Sequence, residues 1–280
     1  MRLLKRKEQQ ALDRYFIDKG VPILLLMEAA GASLARIIAH SDAALAKDRP
    51  VDLLIGPGMN GRDLYASGRH LLAKGYTLRV WESERNREGL KDPSLTMRQA
   101  LLGLGVRPAL LADYVEDSEA LIVDGLLGAG FDPLRPLSDE IREALEKMQK
   151  AKDGGAYIFS CDLPSGISTD LGQVSPYTVR ADETVTFFAP KAGMMSSPGR
   201  DYCGKIHISD LDLPASSVSA FWEDWNKEHQ ESDRTEPFGR GLYSLDFNEW
   251  QDKLGSLSAQ SHKWQQGKLV VVAGQKGMAG

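Results

Sequence analysis

Two aspartates and two neutral oxygen-bearing side chains stand at positions in this chain that suggest chemistry. Asp124 and Asp162 each follow a short apolar run that is typical of a buried strand. In an open parallel sheet such positions converge on one ligand crevice, so we expect both carboxylates to face the same ligand. One of them could hold a cation, helped by the Asn60 amide and the Ser165 hydroxyl, while the other transfers a proton. The alternative is that both aspartates only cap strand ends.

A glycine-rich loop lies between a predicted strand and a predicted helix. The loop reads Gly56-Pro57-Gly58-Met59-Asn60-Gly61-Arg62-Asp63. Backbone N–H groups and the dipole at the start of a helix attract phosphate, so the loop is a candidate for binding a phosphorylated ligand. It lacks the Gly-Lys-Ser/Thr ending of a Walker loop and the G-x-G-x-x-G dinucleotide spacing. A tight turn with Asp63 as the helix N-cap is the alternative interpretation.

Apolar runs and helical periodicity alternate along the chain, and they define the elements that would position these residues. Strands are predicted at residues 51–55, 78–81, 120–123, 156–160, 183–188 and 205–208. Helices are predicted at residues 6–19, 24–40, 63–74, 94–104 and 139–151. This alternation predicts an α/β fold with a three-layer, Rossmann-like, doubly wound and mainly parallel sheet, open to ligands beyond the carboxyl ends of its strands.

Composition and charge restrict the classes of partner. A net charge of -5 over 280 residues leaves no basic field for nucleic acid, so we expect small molecules or proteins as partners. Cys161 and Cys203 are too few for a disulfide framework, and we interpret them as inert buried thiols in a reducing compartment. No apolar stretch long enough for a signal sequence follows the basic N-terminus, and residues 21–27 are too few to span a membrane. We therefore expect a cytoplasmic protein without a membrane segment.

The pattern changes after residue 214. Residues 215–261 are polar and show no alternation of strands and helices, so they are predicted to be a linker with one short helix around 247–254. Residues 268–273 form a β-branched run followed by glycines, which is typical of the first strand and turn of another α/β domain.

Five stretches occur in the order found in one known family. They are residues 26–31, 56–63 with 68–71, 124–131, 162–167 with Asp170 and Gly172, and 184–191. Together they resemble the NAD(P)H-hydrate epimerase family, also called the YjeF N-terminal domain, over about residues 5–214. Residues 262–280 are similar to the start of an ADP/ATP-dependent NAD(P)H-hydrate dehydratase domain. The resemblance therefore implies an epimerase domain at 1–214, a linker at 215–261 and the truncated start of a ribokinase-like dehydratase domain at 262–280.

The resemblance implies an enzyme that interconverts the R and S epimers of hydrated NADH or NADPH, written NAD(P)HX, so that a stereospecific dehydratase domain or partner can restore the cofactor. It implies a potassium (K+) site at Asn60, Asp124 and Ser165. The implied substrate contacts are Met59, Asn60, Gly61, Arg62, Asp63, Gly128, Ala129, Gly130, Phe131, Asp132, Pro133, Leu134 and Asp162. Because inversion at the hydrated carbon needs loss and return of water, we assign the acid/base role to Asp162. No dehydratase activity is expected from this chain, and a homodimer is left open.

The glycine loop departs from the family pattern. Met59, Arg62 and Leu64 replace an amide and two glycines of the family's Asn-Asn-Gly-Gly-Asp-Gly loop. Arg62 either points into the crevice and pairs with a pyrophosphate, or occupies a backbone conformation with positive φ and strains the loop. These departures favour the alternative function, a non-catalytic Rossmann-like ligand-binding or assembly module. The enzyme is favoured by the retained residues Asn60, Asp63, Asp124, Asp162 and Ser165.

Overall fold

A computed structural model describes residues 2–44, 49–229 and 242–243 of the chain. All of these residues belong to one of the two units into which the chain divides, Arg2–Ser244.

The unit is built around a seven-stranded sheet in which each neighbouring pair of strands is parallel. Its strands are β2 Val51–Ile55, β3 Leu78–Glu82, β4 Ala109–Leu110, β5 Leu121–Gly125, β6 Tyr157–Cys161, β7 Glu183–Phe187 and β8 Lys205–Ser209. Their order across the sheet is β4-β3-β2-β5-β6-β7-β8. The strand order therefore reverses between β2 and β5, and the loops that follow these two strands flank the crevice where such sheets bind ligands.

Helices cover both faces of the sheet. The helices are α1 Arg6–Asp18, α2 Ile23–His40, α3 Met59–Ala73, α4 Glu84–Gly89, α5 Ser94–Gly103, α6 Asp139–Asp153 and α7 Ala215–Glu228. A further two-residue strand, β1 Arg2–Leu3, pairs antiparallel with β9 Leu242–Tyr243.

Alternate residues of the strands pack in two separate hydrophobic cores, one on each face of the sheet, as expected for a sheet buried on both faces. Leu53 and Ile55 pack in the core beneath α1, α2 and α3, whereas Leu54 packs in the core beneath α6. In β5, Val123 likewise packs in the first of these cores and Ile122 in the second. The prediction of an α/β fold with a three-layer, Rossmann-like, doubly wound sheet is thereby confirmed.

Helix α2 is long and apolar enough to cross a membrane by length and composition alone. Its buried residues include Leu26, Leu34 and Ile38, which belong to the core shared with the sheet. The apolar character of this helix is therefore used in packing, as a buried core helix requires.

Three local predictions differ from the structure. Helix α3 begins at Met59 after an extended Gly58, so Asp63 lies inside the helix and its predicted N-cap role is wrong. Asp124 lies within β5 rather than beyond it. Helix α7 occupies the start of the predicted linker, because the aromatic ring of Phe221 is buried in the core. The predicted helix at 247–254 and strand at 268–273 lie outside the described residues.

Candidate active site

A cavity of about 540 Å³ opens at the carboxyl ends of the strands, and it contains many of the predicted site residues. Those that line it are Met59, Asn60, Asp63, Gly128, Ala129, Gly130, Phe131 and Asp162. Further walls come from Gln9, Asp13 and Ile17 of α1 and from Leu26 of α2. The cavity size suits a substantial part of a small-molecule ligand.

Five predicted substrate contacts do not line this cavity, namely Gly61, Arg62, Asp132, Pro133 and Leu134. Gly61 is buried where α3 crosses β5, and a Cβ atom there would lie 2.6 Å from the Gly125 carbonyl oxygen. Leu134 is 91% exposed. Substrate contact by these residues stays a prediction.

The departures of the glycine loop fit the fold without strain. Arg62 is a regular residue of α3 whose N–H donates to the Gly58 carbonyl at 3.3 Å, and it does not have a positive φ. Its side chain lies against Met59, with Nη1 3.9 Å from Sδ. Leu64 is fully buried and packs over Gly125. The strained alternative for Arg62 is therefore wrong, and Leu64 serves the core rather than the ligand.

Asp124 and Ser165 form a buried pair beneath the cavity. The Ser165 N–H donates to Asp124 Oδ2 at 2.8 Å, and its hydroxyl donates to Oδ1 at 2.5 Å. The Leu126 N–H donates to the same Oδ1 at 3.1 Å. Burial raises the pKa of Asp124, and these hydrogen bonds oppose that rise by stabilising the carboxylate.

Asn60 joins this pair through the peptide of Leu127. Its Nδ2 donates to the Leu127 carbonyl at 2.8 Å, and the Leu127 N–H donates to Ser165 Oγ at 2.8 Å. The remaining Asn60 oxygen, Oδ1, is buried and has no hydrogen-bond partner. A buried oxygen without a donor fits an oxygen-coordinated cation. Across the described residues no cluster of three His, Cys, Asp or Glu side chains could hold a metal.

Asp162 is held rigidly by a buried lysine that follows β7. Lys191 is fully buried, and its Nζ donates to Asp162 Oδ1 at 2.5 Å and to Thr186 Oγ1 at 2.9 Å. The Thr186 hydroxyl in turn donates to Asp162 Oδ1 at 3.1 Å. Asp162 itself has a φ of 60°, a left-handed conformation that is uncommon for a non-glycine residue and that recurs at functional sites.

Two more carboxyl groups share the cavity with Asp162. Burial raises the pKa of Asp13 to about 6, and the charge of Asp162 raises it as well, while Lys191 lowers it. Burial raises the pKa of Asp63 well above its ordinary value, with further contributions from Asp162 and Asp13. Such shifts in a cleft are typical of proton-transfer sites, although structural networks also produce them.

Sequence reasoning missed Lys191 and Asp13 as site residues. Lys191 ends one of the five stretches that carry the resemblance, but nothing in its local sequence predicts a buried ammonium beside Asp162. Asp13 belongs to the predicted helix 6–19. Its only signal is the spacing of Gln9, Asp13 and Ile17 by four residues, which places them on one helix face.

The two cysteines agree with the interpretation as inert thiols. Cys161 and Cys203 are free and buried. Burial raises the pKa of the Cys203 thiol to about 12 and that of the Cys161 thiol well above its ordinary value. Thiols that stay protonated are poor nucleophiles, so these residues are structural.

A rigid carboxylate and titratable neighbours in a cavity at the switch point of a parallel sheet define an α/β protein that binds a small molecule and can transfer protons. The chain belongs to the family described as YjeF-related protein N-terminus, which matches residues 24–193, more than half of its length. The family resemblance expected from the sequence motifs is thereby confirmed.

Curated relatives fall into two groups. The chain is 34% identical over 202 residues to the NAD(P)H-hydrate epimerase of Clavibacter sepedonicus, covering 69% of this chain and 84% of that protein. It is 27% identical over 276 residues to the bifunctional NAD(P)H-hydrate repair enzyme Nnr of Dictyoglomus turgidum, covering 98% of this chain and 49% of that protein. The chain thus spans about half the length of this bifunctional relative.

One solved structure shares the fold. The crystal structure of yeast ynu0, YNL200c, superposes with a TM-score of 0.69 at 20% sequence identity. The match covers 88% of this chain and 97% of the yeast chain. At this identity the likeness shows the fold alone.

Proposed function

We propose that this chain interconverts the R and S epimers of NAD(P)HX, and that a dehydratase domain or partner consumes one epimer. The observation that carries the proposal is the Asp162–Lys191 pair in a cavity at the switch point of the sheet. The names of the relatives, NAD(P)H-hydrate epimerase and bifunctional NAD(P)H-hydrate repair enzyme, support the choice of substrate. Of the three departures that favour the non-catalytic alternative, Arg62 and Leu64 fit the helix and the core without strain, whereas Met59 lines the cavity.

The chemistry needs proton transfer and no change in oxidation state. The hydrated carbon bears a hydroxyl beside a ring nitrogen, so protonation of the hydroxyl lets water leave while the nitrogen lone pair forms a carbon–nitrogen double bond. Water then adds to the other face and gives up a proton. Asp162 is the proton-transfer group, and the buried ammonium of Lys191 fixes its orientation and balances its charge.

A potassium ion is part of this proposal. The Asn60 Oδ1 atom, the Asp124 carboxylate and the Ser165 hydroxyl would hold it, and the buried Asn60 oxygen without a hydrogen-bond partner supports this assignment. The ion would supply positive charge that fixes the loop beneath the substrate. We expect an anomalous scattering peak between these side chains in crystals soaked with thallium(I). Absence of the peak at thallium concentrations that saturate potassium-dependent enzymes would contradict the site.

The test of the activity couples the chain to an excess of a separate dehydratase and follows the conversion of R-NADPHX. Asp162→Asn keeps the shape of the side chain but loses its basicity, so we expect the rate to fall by about 10²- to 10⁴-fold. Asp153→Asn, at the exposed end of α6, is the matched control and should keep the parental rate. A parental chain that converts no R-NADPHX above the uncatalysed rate would refute the proposed function.

A further inference from the structure

One wall of the cavity comes from helix α1, which lies outside the segment matched by the family. Gln9, Asp13 and Ile17 are spaced by four residues and line the cavity along one face of this helix. Asp13 Oδ1 accepts a hydrogen bond from Gln9 Nε2 at 3.1 Å. Among the described residues this is the hydrogen bond that holds Asp13, so its carboxyl group is presented to the cavity by its own helix.

The charged groups that shift the pKa of Asp13 are Asp162 after β6 and Lys191 after β7. Asp13 in turn raises the pKa of Asp63 on α3. Burial and the charge of Asp162 raise the pKa of Asp13 to about 6, whereas Lys191 and the hydrogen bond from Gln9 oppose the rise. Both the neutral and the charged forms of Asp13 are therefore populated near neutral pH, as proton transfer in either direction requires.

We infer that Asp13 is a second catalytic residue of this cavity, which exchanges protons at the ring face that Asp162 does not serve. The inference rests on the proposed epimerase function and adds a residue to it. Because Asp13 and Asp162 are carried by different elements, the two carboxyl groups can approach a bound ring from different directions.

Asp162 alone is poorly suited to serve both faces of a ring. Its Oδ1 is bound by Lys191 and Thr186, and its backbone has a φ of 60°, so the carboxyl group is fixed in direction. A single fixed group would require the ring to turn over within the cavity between loss and return of water. A second group on α1 removes that requirement.

The proton transfers balance between the two groups. In one direction the acid form of Asp13 gives its proton to the hydroxyl, the carbon–oxygen bond breaks with its electrons going to oxygen, and the ring nitrogen lone pair forms the double bond. Water then attacks the opposite face, the double-bond electrons return to nitrogen, and the Asp162 carboxylate takes the water proton. In the reverse direction the two carboxyl groups exchange roles, so one shared proton is enough.

The decisive variant is Asp13→Asn, whose amide oxygen can still accept from Gln9. We expect the rate of epimerisation to fall by about 10²- to 10⁴-fold in both directions. Asp18→Asn is the control on the same helix, since Asp18 is exposed and pairs with Arg14. It should keep the parental rate. Asp13→Glu restores the carboxyl group on a longer arm and should recover part of the lost rate.

The pH profile separates proton transfer from a structural role. For the parental chain, kcat/KM should fall about tenfold per pH unit as the pH rises above an apparent pKa near that of Asp13, about 6, because the shared proton is then lost. This fall is the alkaline limb of the pH profile. The limb should be the same in both directions, because the equilibrium constant between epimers does not depend on pH. Asp13→Asn should lose this limb, and Asp13→Glu should shift it, since a longer arm changes the burial of the carboxyl group.

The outcomes distinguish the two proposals. If the parental chain is active while Asp13→Asn stays within a few-fold of it and keeps the limb, the role of Asp13 is overturned and the function stands. If Asp13→Asn does not fold, the unshifted limb of Asp13→Glu would overturn the role instead. An inactive parental chain would refute the function, and the role of Asp13 with it.

Discussion

Lys191 illustrates what a lysine needs in order to be fully buried. Its ammonium has three N–H donors, and the structure supplies three acceptors: Asp162 Oδ1 at 2.5 Å, Thr186 Oγ1 at 2.9 Å and the Phe187 carbonyl at 3.1 Å. The charge is balanced by Asp162, and each proton has an acceptor. Because burial without such partners is costly, the lysine and the aspartate depend on each other.

We therefore expect Lys191→Met to destabilise the fold by about 3–5 kcal/mol at neutral pH, since the variant leaves a carboxylate without its partner charge. The loss should be larger at pH 8 than at pH 5, because Lys191 lowers the pKa of Asp13 and its removal makes the charged form of Asp13 more costly at high pH, whereas Asp13 is largely protonated at pH 5 in both proteins. Urea unfolding at both pH values measures this. Lys150→Met, at an exposed position of α6, is the control. Equal losses at both pH values would contradict the electrostatic explanation.

At the scale of elements, the cavity depends on how closely α3 approaches the sheet. A Cβ atom at Gly61 would lie 2.6 Å from the Gly125 carbonyl oxygen and from the backbone nitrogen of Gly56. Backbone atoms at the centre of a sheet cannot yield, so only a glycine allows this contact. The approach positions Asn60 and Asp63 of α3 over the end of β5.

Gly61→Ala should accordingly cost about 1–3 kcal/mol of stability and lower activity, because the helix must move away from the sheet. Gly58→Ala is a matched control from the same loop, since nothing lies within 4 Å of its added Cβ and its φ is -84°. It should change the free energy of unfolding by less than about 0.5 kcal/mol. Thermal melts compare the stability of the two variants, and the epimerase assay measures the activity of Gly61→Ala. Equal losses of stability would contradict the packing argument.

Much of the sheet could be predicted because its strands are buried on both faces. The run Val51–Ile55 is continuously apolar except for Asp52, and such runs mark central parallel strands. Strand β4 has two residues, too few to show any periodicity. Helix α7 could not be predicted because Phe221 is its one buried residue, and Val218, Trp222 and Trp225, which also pack against the core, are only partly buried.

The sequence predicts the site residues that follow strand ends. It does not predict those that reach the cavity only through the packing of distant segments. Asn60 and Asp162 come directly after strands or their loops, so topology brings them together. Asp13 and Lys191 lie far apart in the chain, and neither has a local pattern that distinguishes it from a surface residue. Their contact with the cavity depends on how α1 and the segment after β7 pack in three dimensions.

At the scale of the unit Arg2–Ser244, α7 extends the fold beyond the predicted domain end at residue 214. The Phe221 ring is buried, and its centroid lies 5.3 Å from that of Tyr15 on α1. Trp222 and Trp225 pack beside it. Helix α7 therefore supports the helix that carries Asp13.

A chain that ends at residue 214 should be less stable than one that ends at residue 229, because it lacks this aromatic packing. Loss of a buried phenylalanine alone costs about 3–5 kcal/mol, so the shorter chain should melt at a clearly lower temperature. Phe221→Ala in the full chain should reproduce much of the difference. Melting temperatures within a degree of each other would show that the fold ends at residue 214.

The cavity lies between two regions whose backbone amides are protected from hydrogen exchange to different degrees. Its floor lies at the ends of β2 and β5, whose residues are all buried, so their amide hydrogens exchange with deuterium mainly through global unfolding. Helix α1 is an outer wall with exposed residues such as Arg14, and its amides exchange through smaller openings. At labelling times too short for global unfolding, a ligand in the cavity should therefore slow deuterium uptake in peptides from residues 6–18, whereas peptides from 121–125 take up little deuterium with or without the ligand. Deuterium labelling of α1 would then report occupancy of the cavity without any assay of the reaction.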